Sequence, residues 1–200
     1  MVGTDKTIGL TEVARESFAP RMLPAGMEPG LFDTGTFDGG ARTFPNGCHV
    51  CEVEIDPDTG KVAIVSYHVL DDFGRVINPM LVAGQVHGGI VQGLGQALLE
   101  NCVYDENGQI LTASFSDYAM PRADDFPDFL SELAEVPATT NPLGIKGAGE
   151  AGATGAPPAV ISAILDALRP FGIEHIDMPA TPNRIWQAIH KARAIKVAAE

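Results

Sequence analysis

Between residues 47 and 56 the sequence alternates. Val50, Glu52 and Glu54 fall on one side and Cys51, Val53 and Ile55 on the other, the two-residue period of a half-buried strand. Val62-Ala-Ile-Val-Ser-Tyr-His-Val-Leu70 is rich in strand formers, and His68 reads as one of its strand residues. Asp56-Pro-Asp-Thr-Gly-Lys61 has turn chemistry, so residues 47–56 and 61–73 are expected to form a β-hairpin. From Pro79 to Glu100 the period lengthens to that of a helix, with Leu81, Val82, Val86, Ile90, Val91, Leu94, Ala97 and Leu98 as its apolar set. Cys102–Tyr104 and Gln109–Thr112 flank Asp105-Glu-Asn-Gly108, a second hairpin signal, and Phe129 to Val136 reads as a strand. Pro157-Pro158 suits a first helical turn, so a helix is expected over Ala159–Leu168, closed by Pro170 and Gly172. A short strand at Ile173–Ile176 follows. The last helix, roughly Pro182 to Val197, is capped by Thr181 and carries Ile185, Ile189 and Ala192 on one face.

Residues 1–46 show little periodicity. A short helix from Thr11 to Phe18, capped by Thr11, and a short strand at Phe32–Phe37 are expected among many prolines and glycines. The fold class is α+β: antiparallel hairpins packed with about three helices. Residues 1–46 form an irregular N-terminal segment that lies across another part of a larger protein, and 47–200 form the domain portion proper. The middle helix carries Gly84, Gly88, Gly89, Gly93 and Gly95. Each interior glycine costs on the order of 1 kcal/mol relative to alanine, so close packing or a ligand against the backbone must compensate. Trp186 is expected in the core or at a subunit contact.

Charge changes the picture only by exclusion. The formal net charge is −13, from 13 Lys and Arg against 26 Asp and Glu. That balance disfavours nucleic acid and anionic membranes as partners, since phosphate binding needs clustered cations. No run approaches the roughly 20 apolar residues of a membrane span. The first residues lack a signal pattern, and a cytoplasmic chain is expected. The 3 cysteines, Cys48, Cys51 and Cys102, fit reduced thiols. Cys48-His49-Val50-Cys51 lacks a second ligand pair and reads as strand, so no direct metal ligand is assigned. Asp71 and Asp72, adjacent on a strand end, point to opposite faces and read as solvated turn acids.

The chemistry concentrates in Asn141-Pro-Leu-Gly-Ile-Lys-Gly-Ala-Gly-Glu-Ala-Gly-Ala-Thr-Gly155. Three readings compete. Gly147-x-Gly149-x-x-Gly152 matches the spacing of a dinucleotide fingerprint, but Pro137 and Pro142 leave no strand running straight into it. The second reading is a glycine-rich connection whose acid, Glu150, is solvated. The third is a working carboxylate in a tight apolar pocket, where Glu150 could act as a general base. With the expected helix starting several residues later, a helix dipole would scarcely reach Glu150.

Gly144-Ile-Lys-Gly-Ala-Gly-Glu-Ala-Gly152 with Gly155-Ala-Pro-Pro-Ala159 resembles the catalytic-glutamate segment of the molybdenum hydroxylase large subunit. That family comprises xanthine dehydrogenases, aldehyde oxidases and aerobic carbon monoxide dehydrogenases. Asp72-Phe-Gly-Arg-Val-Ile-Asn-Pro79 with Gly84-Gln-Val-His-Gly-Gly-Ile-Val-Gln-Gly-Leu-Gly-Gln-Ala-Leu-Leu-Glu100 and Asp117-Tyr-Ala-Met-Pro121 resemble it too, in the family's order. The wording is closest to the carbon monoxide dehydrogenase-like branch. The resemblance covers nearly the whole chain but only about the last quarter of a family large subunit. It implies part of a molybdenum cofactor-binding domain. In the family the glutamate lies beside the molybdenum and takes the proton of the metal-bound hydroxide, which attacks the substrate carbon; by position this implies Glu150. It implies Gln85 as the pterin contact, with Lys146, Gly147 and Gly149 shaping the cofactor pocket; Lys146 reads equally as a surface charge, and His87 as structural. It further implies a molybdenum–molybdopterin cofactor in the cytosine dinucleotide form, and iron–sulfur and FAD subunits as partners beside the remaining large-subunit segments. The substrate would be carbon monoxide, an aldehyde or an N-heterocycle, and the isolated chain would be inactive. The alternative is a non-catalytic assembly module or isolated fragment of that fold.

Overall fold

The computed structural model describes residues 3–21, 23–39 and 41–199, with side chains described to residue 195. The chain divides into two compact units, residues 1–39 and 40–200. In the first, helix α1 spans Leu10–Glu16. It starts one residue before Thr11, because the carbonyl of Gly9 accepts from the N–H groups of Glu12 and Val13, both at 3.0 Å. The expected strand at 32–37 does not form: Phe32 and Phe37 are exposed, and no described strand of this unit pairs with them.

In the second unit β1 (Asn46–Ile55) and β2 (Val62–Asp72) pair antiparallel, Cys48 opposite Leu70 and Ile55 opposite Val62. Asp56 ties the turn, Oδ1 accepting from the Asp58 N–H at 2.9 Å and Oδ2 from the Thr59 hydroxyl at 2.7 Å. Strand β3 (Phe129–Leu133) joins the other edge of β2 in parallel, Tyr67 opposite Phe129 and Asp71 opposite Leu133. The sheet, ordered β1-β2-β3, is therefore mixed rather than built from antiparallel hairpins alone. A parallel neighbour needs a crossover connection, and helix α2 (Pro79–Leu98) lies within it. The second hairpin signal yields only the bridge Tyr104–Ile110. Val103, Tyr104 and Leu111 are exposed there, so no buried face supports a longer ladder.

Helix α3 spans Ala151–Leu168, beginning at Ala151 rather than Ala159, with both prolines inside it. Proline removes a helical N–H and crowds the preceding turn. Here the Pro157 ring fills the space over Gly93, where a Cβ would come 2.8 Å from Pro157 Cδ. The packing of α3 on α2 thus retains the prolines within the helix. The last helix, α4 (Pro182–Ala199), is entered through Thr181, whose Oγ1 accepts from the Arg184 N–H at 3.4 Å. Ile173–Ile176 forms no strand. Nearby, the Ala180 N–H donates to the Ala97 carbonyl at 2.6 Å, tying this stretch of chain to α2 rather than to the sheet. Trp186 is 38% exposed and stacks on His190 with ring centroids 3.9 Å apart, so it is not a core residue of this chain.

The core joins Tyr67, Val69 and Phe73 of the β2 strand and its exit to Val86, Ile90 and Leu94 of α2. Val160, Ile164 and Leu168 of α3 and Ile185 and Ile189 of α4 complete it. Residues 151–171 are long and apolar enough, by length and composition, to cross a membrane. That apolarity has a local use, since Ala156, Val160, Ile164 and Leu168 are buried in this core. The α+β class holds, with three strands and four α-helices among the described residues.

Candidate functional site

The site is built where β2 ends. Both acids there are buried, Asp71 at 2% and Asp72 at 9% exposure, so neither is the solvated turn acid that the sequence suggested. Asp72 Oδ1 accepts from the N–H of Gly74 at 2.8 Å and of Val136 at 3.0 Å, and Oδ2 meets Lys146 Nζ at 2.5 Å. Burial opposes its ionisation, but the Lys146 ammonium and the two backbone donors together hold the Asp72 carboxyl below its usual range. Lys146 is accordingly no surface charge: its side chain is 11% exposed and spent on Asp72.

This ion pair anchors the glycine-rich loop. The Lys146 N–H donates to the Phe73 carbonyl at 2.8 Å, and the Arg75 N–H to the Gly144 carbonyl at 2.9 Å. Asn141 closes the loop on itself, donating from Nδ2 to the Ile145 carbonyl and accepting from the Ile145 N–H. Gly144, at φ +68°, and Gly74, at φ +68°, supply the left-handed turns that bring the two stretches together.

From that anchor Gly147-Ala148-Gly149 leads into Glu150, the N-cap residue of α3. Its carbonyl accepts from the Thr154 N–H and hydroxyl, each at 2.9 Å, while its exposed carboxylate makes no capping bond. The expected gap between Glu150 and the helix does not exist. Glu150 thus stands directly at the start of α3, the helix's positive end. Gln85, on the exposed side of α2, reaches the same place: its Oε1 lies 3.7 Å from where a Cβ on Gly149 would be. Gln85 therefore meets the loop at Gly149, next in the chain to Glu150, whereas the Lys146 ammonium points away to Asp72.

The glycines separate by role. A Cβ on Gly89 would meet Ala153 N at 3.1 Å, and one on Gly152 would meet Ile90 N and Val86 O at 2.6 Å, so these residues set the close crossing of α2 and α3. Gly84, Gly88 and Gly147 have no neighbour within 4 Å of a built Cβ. They leave bare backbone on α2 and the loop beside Gln85 and Glu150.

Sequence reasoning missed a second polar group at this end of the sheet. His49 Nε2 lies 3.5 Å from Asp71 Oδ1, and its Nδ1 lies 2.7 Å from the Tyr67 hydroxyl. Burial, with the nearby Cys51 and Asp71 charges, pushes the Tyr67 phenol well up. The signal was present in the alternation. His49 shares its face of β1 with Cys51, Val53 and Ile55, and Asp71 shares its face of β2 with Tyr67 and Val69. His87 is exposed on α2, its ring edge-on to Phe129 at 5.7 Å.

Comparison with known proteins matches residues 1–127 to the family described as molybdopterin cofactor-binding domain, a stretch that includes Gln85 and stops short of Glu150. The nicotine 6-hydroxylase large subunit of Paenarthrobacter nicotinovorans is 44% identical over 82% of this chain and 20% of its own length. The carbon monoxide dehydrogenase large chain of Hydrogenophaga pseudoflava is 36% identical over 83% of this chain and 21% of its own. Among solved structures, quinoline 2-oxidoreductase from Pseudomonas putida 86 superposes with a TM-score of 0.80 at 38% identity, over 90% of this chain and 23% of that one. Carbon monoxide dehydrogenase from Oligotropha carboxidovorans gives 0.81 at 34% identity, over 92% and 23%. The chain thus spans about a fifth of the length of the curated relatives it matches. With a mixed sheet backing two helices crossed on glycine, and with these matches, the chain belongs to the molybdopterin cofactor-binding domain family of molybdenum hydroxylase large subunits.

Proposed function

We propose that this chain is the part of a molybdenum hydroxylase large subunit that supplies the catalytic base, Glu150, and a pterin contact, Gln85. The carrying observation is that the Gln85 amide meets bare backbone at Gly149, next in the chain to Glu150, whose exposed carboxylate makes no capping bond at the start of α3. The residues fit the group. Gly84, Gly88 and Gly147 leave backbone that a Cβ would cover, and the Gln85 amide both donates and accepts, as the edge of a pterin requires. Gly147 and Gly149 would lie against the cofactor. Lys146 would act through its ion pair with Asp72, fixing the loop that carries Glu150. The molybdenum centre, when bound, supplies the hydroxylating oxygen and accepts the substrate's electrons. Glu150 holds the proton released at that step on a carboxylate oxygen, and its exposed face lets water carry the proton away.

We extend this to what the family resemblance implies: a cofactor in the cytosine dinucleotide form, and electrons leaving through iron–sulfur and FAD subunits in the cytoplasm. The substrate is carbon monoxide, an aldehyde or an N-heterocycle. The isolated chain is inactive, since the remaining large-subunit segments complete the pocket.

The test is metal and pterin analysis of the chain alone and co-expressed with a complementary large-subunit segment, with Glu150→Gln alongside. The expected result is molybdenum and pterin in the complex. Glu150→Gln should keep both and lose roughly 10²- to 10⁴-fold in turnover, the span of general acid–base catalysis. Cofactor absent from every preparation, or undiminished turnover in Glu150→Gln, overturns the reading.

A further inference from the structure

The sheet has one face that this chain's own helices leave bare. On the other face Cys51, Tyr67, Val69 and Phe129 belong to, or pack against, the core shared with α2 and α3. The residues between them point the opposite way. Register sets these outward residues in two rows. Val50 stands opposite His68 and His68 opposite Leu130; Cys48 stands opposite Leu70 and Leu70 opposite Glu132. All are exposed, Val50 and Leu130 at 58% and Leu70 at 45%. Together they line an open groove of about 590 Å³.

A sheet face that meets water carries polar residues outward, whereas here each strand sets an aliphatic side chain outward. Parallel pairing, as between β2 and β3, belongs to sheets covered on both faces. An apolar surface running across neighbouring strands marks an interaction site. Charge then selects the occupant. Glu52, whose Oε2 accepts from the Ser66 hydroxyl at 3.0 Å, and Glu54 continue the outward row of β1, and Glu132 stands on β3. None of the three strands contains Lys or Arg. A second copy seated face to face would set these acids against their own counterparts. The occupant needs aliphatic side chains for the groove and Lys or Arg for its rim.

We propose that the outer face of this sheet is the docking surface for a segment of the remaining large-subunit polypeptide, apolar at its centre and basic at its flanks. This rests on the reading of the chain as part of a molybdenum hydroxylase large subunit, since it spans about a fifth of its curated relatives' length. The segment's aliphatic side chains fill the space among Val50, Leu70 and Leu130, and its cations meet Glu52, Glu54 and Glu132. The sheet becomes a middle layer, with α2 and α3 on one side and the rest of the subunit on the other.

Cys48 lies in the groove and reports on it directly. The test compares the chain alone with the complex formed on co-expression with a complementary large-subunit segment. Iodoacetamide labelling of Cys48, read by peptide mass mapping, is expected in the chain alone. It should be lost in the complex and return when the complex is unfolded in urea. Leu130→Lys puts a cation in the groove at an exposed position, so the melt of the chain alone should not change. Recovery of the complementary segment should fall at least about tenfold, because like charges at a docked surface are strongly unfavourable. Glu132→Lys reverses a rim charge and should weaken recovery in the same direction, most at low salt. Should Leu130→Lys not fold, Glu132→Lys carries the test. A complex in which Cys48 labels as in the chain alone, or in which both variants assemble like the parent, overturns this inference and leaves the large-subunit reading standing. A chain that sediments alone as a dimer with Cys48 protected makes a second copy the occupant and overturns it too. Failure of the parent to associate with the complementary segment overturns both.

Discussion

Gly152→Ala is expected to loosen the whole second unit. A Cβ there would stand 2.6 Å from Ile90 N, 2.6 Å from Val86 O and 2.8 Å from the Gly89 carbonyl carbon. All three are α2 backbone, which cannot rotate aside, so α2 and α3 must part by several tenths of an ångström. Parting them loosens the contacts of Ile90, Val86, Ala156 and Val160, all at 0% exposure. Overpacking of this kind costs typically 1–3 kcal/mol, and loss of backbone complementarity puts this case at the upper end, about 3 kcal/mol. The intrinsic helix preference of alanine offsets about 1 kcal/mol, leaving a net loss of about 2 kcal/mol. For a chain of this size that is a fall of roughly 4–8 °C in Tm, with a matching drop in the urea midpoint. Gly84→Ala is the internal control. It lies in the same family of helical glycines but has nothing within 4 Å, so the propensity term stands alone and the midpoint should rise. Both variants are read by circular dichroism in urea. If Gly152→Ala melts at or above the parent, the assignment of this glycine to helix crossing is wrong.

Other outcomes follow from the buried charges and thiols. Lys146→Met leaves Asp72 buried without its cation, and breaking a buried pair costs about 3–5 kcal/mol. Because the folded Asp72 carboxyl lies below its usual range, its contribution is present above the unfolded value of about 3.9 and is lost as pH falls through the folded one. Acid unfolding followed by tryptophan fluorescence should therefore become shallower below about pH 4 in Asp72→Asn. The Tyr118 hydroxyl donates to Glu100 Oε2 at 2.7 Å, and that bond, with some burial, pushes the phenol up to about 12. In Glu100→Gln the ultraviolet phenolate titration of Tyr118 should move back toward about 10. Burial raises the Cys51 thiol to about 11, whereas Cys48 and Cys102 are exposed. Iodoacetamide at neutral pH should label Cys48 and Cys102 and reach Cys51 only after unfolding, as peptide mass mapping would show.

What could be read from the sequence was whatever is local. The β1–β2 hairpin follows from the alternation of Val50 to Ile55 and the Asp56–Lys61 turn, and α2 from its apolar period, each with ends close to those observed. What failed was set by distant partners. Pro157 reads as a helix start until Gly93 is seen to receive its ring. Phe129–Val136 reads as a strand and forms one over Phe129–Leu133, but its parallel seat on β2 depends on a crossover that periodicity does not encode. Asp72 looks like a turn acid because its cation, Lys146, lies 74 residues away. Glu150, Gln85, Gly147 and Gly149 were legible as candidates, but the His49–Asp71 pair needed the sheet register to bring the two side chains together.

The seam that sets stability also positions the site. Gln85, Gly89 and Gly93 recur every four residues along α2, so they share one face of the helix. Gly89 and Gly93 bring that face against Gly152 and Ala156, and one turn earlier Gln85 meets Gly149 beside Glu150. The approach of the Gln85 amide to the loop at Gly149 is thus set by how closely two helices approach on bare glycine backbone, while Lys146–Asp72 fixes that loop from the sheet side. It follows that Gly152→Ala should displace Gln85 relative to Glu150 as well as lower stability. In the holoenzyme, cofactor affinity and turnover should then fall together in Gly152→Ala. Lys146→Met should leave the crossing intact and impair turnover through the position of Glu150. Separate effects of the two variants on cofactor content would distinguish the seam from the anchor. Identical losses would mean that loop and crossing move as one body.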